Sequence, residues 1–245
     1  MIRSRTLPLA LTAAVALLAL PASAQALNVY AATSLTAAFP QISGAVAYSF
    51  GGSNTLQLQI ERGAPADVFA SASPDEAQAL FREGRCTRPV TFATNTLVLL
   101  VPKSNPAGIR SVYSLRAGGL RLAIGNAAVP IGVYTRKLLA RLRLSSVLQR
   151  NTVSQESNVG GVVAKVALGS ADAGFTYLTD GRTAADRTTS IALPRWAQPP
   201  VRYQICAVKR AGADTSGAQN FIARVTTRAG RNVLRRNGFG LPPRG

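Results

Sequence analysis

The stretch "FGGSNTLQLQIERGAPADVFASAS" (Phe50 to Ser73) decides the architecture. Gly51, Gly52, Ser53 and Asn54 form a turn, and the amphipathic run from about Thr55 to Arg62 that follows predicts a helix. Gly63 and Pro65 break that helix. "ADVFAS" then reads as a buried strand. Upstream, "LNVYAA" predicts a strand, a helix is expected from about Thr36, and "VAYSF" predicts a second strand. Downstream, "SPDEAQALFREG" predicts a helix, with Ser73 and Glu76 spaced as a capping box and Gly84 at its end. Strand and helix alternate, which is the βαβ rhythm of an α/β fold with a mostly parallel sheet.

The rhythm restarts after "TNTLVLLVPKSNPAG", a strand followed by a Pro-rich loop. "LRLAIGN" predicts a strand, helices are expected near Ile131 and from Val159 to Leu168, and "DAGFTYL" predicts another strand. "PPVRYQICAVKR" is a return strand after a proline break, and "SGAQNFIARVTT" and "AGRNVLRRNG" are tail helices expected to pack on the first unit. The expectation is two α/β lobes, each a mostly parallel sheet flanked by helices, with a ligand cleft between them. Lobe 1 is assigned residues 27–102 and 202–245 and lobe 2 residues 103–201, with hinge passages near 95–103 and 200–206.

Residues 1–26 read as a secretory signal peptide: Arg3 and Arg5, an apolar run too short to span a bilayer, then small residues that permit cleavage after Ala24 or Ala26. The mature chain is therefore expected to be exported to the periplasm. Cys86 and Cys206 could form a disulfide there, or could remain as buried thiols. The formal charge is +18, or +16 once the two charges of Arg3 and Arg5 leave. Basic residues in "TRKLLARLRL" and "ARVTTRAGRNVLRR" alternate with leucine and valine near helical spacing, so they read as solvated helix faces. No zinc-finger spacing or aromatic-rich RNA motif accompanies them, and no nucleic-acid partner is expected.

Catalysis finds little support. The chain has no histidine, so a Ser-His-Asp triad is excluded, and neither G-x-S-x-G nor S-x-x-K occurs. Metal catalysis lacks clustered cysteines or carboxylates. A binding protein that is not an enzyme is the expectation, and a basic surface-interaction module is the weaker alternative.

"AATSLTAAF", the Phe50–Ser73 stretch, "FATNTLVLLVP", "VPIGVYTRKLL" and "ADAGFTYLTD" occur in an order that resembles the molybdate-binding proteins of bacterial ABC importers, a type II solute-binding protein family. The resemblance implies capture of molybdate or tungstate, without a cofactor, by a monomer that delivers the anion to a membrane permease with its ATPase. Another oxyanion such as sulfate is the alternative ligand. By the same resemblance Ser34, Ser53 and Tyr177 supply hydroxyls, and Ile131 and Val159 supply backbone N–H groups, to molybdenum held as molybdate. Ile131 stands where the family usually has alanine, and Asn54 where a small glycine is expected. The chemistry suits these residue types: a tetrahedral dianion offers only acceptors, so it needs convergent donors, and helix N-termini provide N–H groups with partial positive charge.

Overall fold

A computed structural model describes residues 26–242. The expected signal peptide, residues 1–26, lies outside these apart from its last residue. Among these described residues, ten strands, labelled in chain order, form two five-stranded sheets. In the first, β1 (Asn28–Ala32) lies between β2 (Ala47–Gly51) and β3 (Val68–Ser71), parallel to both. Beyond β3 come β10 (Val201–Ala207) and then β4 (Val90–Asn95), and β10 is antiparallel to both neighbours.

The second sheet repeats this plan. There β6 (Leu122–Gly125) lies between β7 (Thr152–Glu156) and β8 (Ala173–Tyr177), parallel to both, and β5 (Leu97–Pro102) runs antiparallel between β8 and β9 (Thr188–Ala192). Each sheet is thus mixed, with as many antiparallel as parallel ladders, where a mostly parallel sheet was expected. The antiparallel member of each sheet is the strand the chain threads in from the other unit. Every residue of β5 is buried, as a central strand covered on both faces must be.

The β5 placement corrects the lobe boundary. Residues 97–102 were assigned to lobe 1, but their ladder partners are β8 and β9, so the first crossing between sheets is at Thr96. The return crossing lies between Ala192 and Val201, ahead of the expected 200–206.

Nine helices flank the sheets among the described residues: α1 (Phe39–Ile42), α2 (Ser53–Glu61), α3 (Pro74–Arg82), α4 (Pro130–Arg141), α5 (Ser146–Asn151), α6 (Val159–Ala167), α7 (Leu178–Thr183), α8 (Thr215–Thr226) and α9 (Arg228–Arg236). The helix expected from Thr36 is instead a 3-10 turn at Thr33–Leu35, followed by the single turn of α1. Pro40 lacks an N–H and is tolerated only in a first turn, which delays the helix to Phe39. Gly63 and Gly84, at φ +89° and +72°, end α2 and α3 in the left-handed conformation that glycine adopts without strain.

The box expected at α3 forms differently. Ser73 Oγ accepts from the Asp75 N–H, while the Ser71 and Ser73 hydroxyls both donate to Glu76 Oε2 (2.9 and 2.5 Å). The tail helices return to the first sheet: Phe221 of α8 meets Phe39 edge-on at 5.5 Å, and Thr94 exchanges backbone hydrogen bonds with Gly240. Arg228, Arg235 and Arg236 of α9 face solvent opposite its buried Val233 and Leu234, as the charge pattern implied. Cys86 and Cys206 are free thiols, fully buried in one apolar cluster with Phe69 and Leu80. The disulfide alternative is not the state seen. No helix among the described residues is long and apolar enough to cross a membrane.

Candidate functional site

Each parallel strand ends at the start of a helix or turn, and five of these strand-to-helix junctions meet between the two sheets. The 3-10 turn after β1 brings Ser34, and α2 after β2 begins with Ser53. From the other sheet, α4 after β6 begins with Pro130 and Ile131, α6 after β7 begins with Val159, and Tyr177 is the N-cap of α7. These segments line a small cavity of about 20 Å³, together with Thr33, Gly52, Ala72, Val129 and Asn158. Ser34, Ser53, Ile131, Val159 and Tyr177, the five residues expected to bind the ligand, all line it.

The close approach of the two sides has a specific cause. Gly52 lies so near the Ser157 carbonyl that a Cβ there would collide with it, and a Cβ on Gly160 would press on the Thr33 methyl. Only glycine permits these faces to shut over so small a space.

The polarity of the cavity follows from which hydrogen-bonding groups are already used. Ser53 Oγ accepts the Ala72 N–H at 3.0 Å, which leaves its own proton for a guest. In α4 the first N–H to find an intrahelical carbonyl is that of Val133, bonded to Val129. Pro130 has no N–H, so Ile131 is the first donor at that helix end that needs a partner. Asn158 caps α6 by accepting from Gly161 N, which holds the Val159 end of that helix in place. Tyr177 is 1% exposed and its hydroxyl has no partner, an expensive arrangement for a buried polar group unless a guest satisfies it. Among the described residues, no lysine or arginine lines the cavity. It is a cage of neutral donors.

Two carboxylates lie behind it. Burial pushes Asp180 up to about 7, opposed by the Tyr177 N–H that donates to it at 3.1 Å. Burial likewise raises Glu76, against the bonds from Ser73 and Ser71. Asn54, the departure at the glycine position, does not line the cavity; its Oδ1 is buried without a partner. A far larger concavity among the described residues, about 790 Å³ along Arg228, Arg231 and Arg235, is an open basic trough that contains none of the expected site residues.

Sequence reasoning missed the groups behind the cage. Tyr203, fully buried on β10, is 2.8 Å from Ser34 Oγ through its hydroxyl and meets the Tyr177 ring at 5.9 Å. Asn95, at the end of β4, donates from Nδ2 to Tyr203 Oη and to Thr179 Oγ1. These partners are 84 to 169 residues apart in the chain, so no local pattern signals them.

The sequence profile of the bacterial extracellular solute-binding proteins matches residues 27–240. The chain belongs to that family. Among its relatives, the molybdate-binding protein ModA of Mycobacterium tuberculosis is 36% identical over 229 residues, covering 89% of this chain and 86% of the relative. ModA of Escherichia coli is 30% identical, covering 88% and 89%. The solved periplasmic molybdate-binding protein of Azotobacter vinelandii superposes with a TM-score of 0.79 at 26% identity, covering 89% of this chain and all of that one. A sulfate-binding protein of M. tuberculosis reaches a TM-score of 0.74 at 14% identity, a likeness of fold alone. These relatives are substrate-binding proteins.

Proposed function

We propose that this protein captures molybdate, or tungstate, in the cavity between its two sheets and delivers it to a membrane permease powered by an ATPase. The observation that carries the reading is the unpartnered Tyr177 hydroxyl, buried at the same small cavity as the Ser34 and Ser53 hydroxyls and the starts of α4 and α6. The molybdate-binding relatives supply the ligand's name.

Neutral donors suit a dianion. A full countercharge would hold it too tightly for release, whereas hydroxyls and helix-end N–H groups share its charge over many bonds. The chemistry of the reading is binding, with Ser34, Ser53 and Tyr177 donating from side chains and Ile131 and Val159 from the backbone. A cage of fixed size favours the larger molybdate and tungstate over sulfate, whose oxygens reach fewer donors at once. Phosphate near neutral pH carries a proton, which in an all-donor shell meets no acceptor. Residues 1–26 would direct export to the periplasm, with cleavage after Ala24 or Ala26, and the mature protein would act as a monomer.

Thermal unfolding with a panel of oxyanions tests this. A ligand at a hundred times its Kd stabilises the folded state by about 2.7 kcal/mol. Molybdate and tungstate should raise the unfolding temperature and phosphate should not. A panel in which no tetrahedral anion shifts the transition would refute the reading.

A further inference from the structure

A serine hydroxyl can donate or accept, and nothing in Ser34 itself decides which. The decision is made two residues back from the cavity. The Thr96 N–H donates to Asn95 Oδ1 at 2.9 Å, which fixes the amide so that Nδ2 faces inward. From there Nδ2 donates to Thr179 Oγ1 at 3.0 Å and to Tyr203 Oη at 3.4 Å. Tyr203 is fully buried, so its single hydroxyl proton needs an acceptor, and its one other hydrogen-bonding neighbour is Ser34 Oγ at 2.8 Å. If Ser34 donated to Tyr203 instead, the phenolic proton would be stranded in the core. Ser34 therefore accepts from Tyr203, and its own proton is left for the cavity.

We propose that Asn95 and Tyr203 are positioning residues: a one-way relay from the Thr96 N–H to the cavity that locks Ser34 as a donor and so makes the site reject protonated oxyanions. The proposal rests on the oxyanion reading above and adds the origin of its selectivity. A second bond from Asn95 Nδ2, to Thr179 Oγ1, ties the relay to the second unit.

Asn95→Asp reverses the relay. A carboxylate accepts where the amide donated, so Tyr203 donates to it, Ser34 donates to Tyr203, and a Ser34 lone pair turns to the cavity. Tyr203→Phe removes the relay and leaves Ser34 free to turn. The experiment is calorimetric titration of the wild type and both variants with molybdate, sulfate and monohydrogen phosphate. In the wild type the fully deprotonated anions should bind tightly and monohydrogen phosphate much more weakly, with an affinity still measurable at high phosphate concentration. In Asn95→Asp the molybdate-to-phosphate affinity ratio should fall about ten-fold or more, the worth of one charge-assisted bond, and in Tyr203→Phe it should fall less.

The ratio separates the relay from cruder effects. The new negative charge in Asn95→Asp, or a general loosening of the fold, weakens both dianions together and leaves the ratio unchanged. An unchanged ratio in Asn95→Asp, or a wild type that binds monohydrogen phosphate as tightly as molybdate or binds no anion, overturns the relay. A wild type that prefers sulfate to molybdate would end the molybdate reading alone, and the sulfate-to-phosphate ratio then judges the relay. Should Tyr203→Phe fail to fold, Asn95→Asp, which keeps every heavy-atom position, decides the matter.

Discussion

Tyr177 and Ser53 line the same cavity, yet their hydroxyls stand in opposite relations to the fold. The Tyr177 hydroxyl is buried without a partner, whereas Ser53 Oγ satisfies the Ala72 N–H. Tyr177→Phe should therefore leave the unliganded protein as stable as wild type or more so, while weakening molybdate binding about ten-fold or more. Ser53→Ala should lower both, since it strands a buried N–H at a cost of about 1–3 kcal/mol. Thermal unfolding and calorimetry on the two variants check the contrast, and a Phe variant that binds normally would remove Tyr177 from the site. Asp180 gives a pH dependence. Its folded pKa, about 7, is raised from an ordinary 3.8, so its contribution to stability is complete below about 4 and is lost as pH rises through about 7. Unfolding temperature measured across that window should fall with pH, and Asp180→Asn should flatten the fall. That Ser34, Ser53 and Tyr177 share one cavity was legible only through the family resemblance of the short motifs that carry them. Tyr203 was not: inside "PPVRYQICAVKR" it reads as one more strand residue, and only the fold brings it to Ser34.

At the scale of elements, the site is a meeting of helix starts, and the residues that let them meet can be tested. Gly52→Ala places a methyl against the Ser157 carbonyl, so the faces cannot shut fully. Molybdate affinity should fall several-fold while the unliganded protein, able to open, keeps most of its stability; equal affinity in calorimetry would show that this contact does not govern closure. Asn158→Ala removes the cap of α6 and should cost about 1 kcal/mol of stability together with some affinity, because the Val159 end loses its anchor. Strands with strong apolar runs, β1, β3, β6, β8 and β10, were legible. The edges β7 (TVSQE) and β9 (TTSIA) were not, since their runs are mostly polar and resemble loops, whereas the edge β2 (AYSFG) carries two aromatic residues that mark it. "TNTLVLLVP" concealed the passage from β4 to β5 because Thr96 carries no glycine or proline to mark it.

For the whole molecule, the account requires two units that close on an anion. The strand order of one sheet repeats in the other, and each receives its antiparallel strand from the far side, so the proposed hinge falls at the two crossings, at Thr96 and between Ala192 and Val201. Small-angle scattering should show contraction on adding molybdate, from an open form to the shut arrangement; an unchanged profile at saturation would count against closure. The charge of +18 does not enter the cavity, whose lining holds no cationic side chain, so raised salt should weaken binding only modestly. The central claim is that a neutral donor cage selects molybdate by size and by the absence of a proton. Calorimetric titration of residues 27–245 with molybdate, sulfate and phosphate under one buffer tests it most directly. The account predicts one molybdate per chain, sulfate weaker, and phosphate weaker still; sulfate or phosphate binding as tightly as molybdate would contradict it.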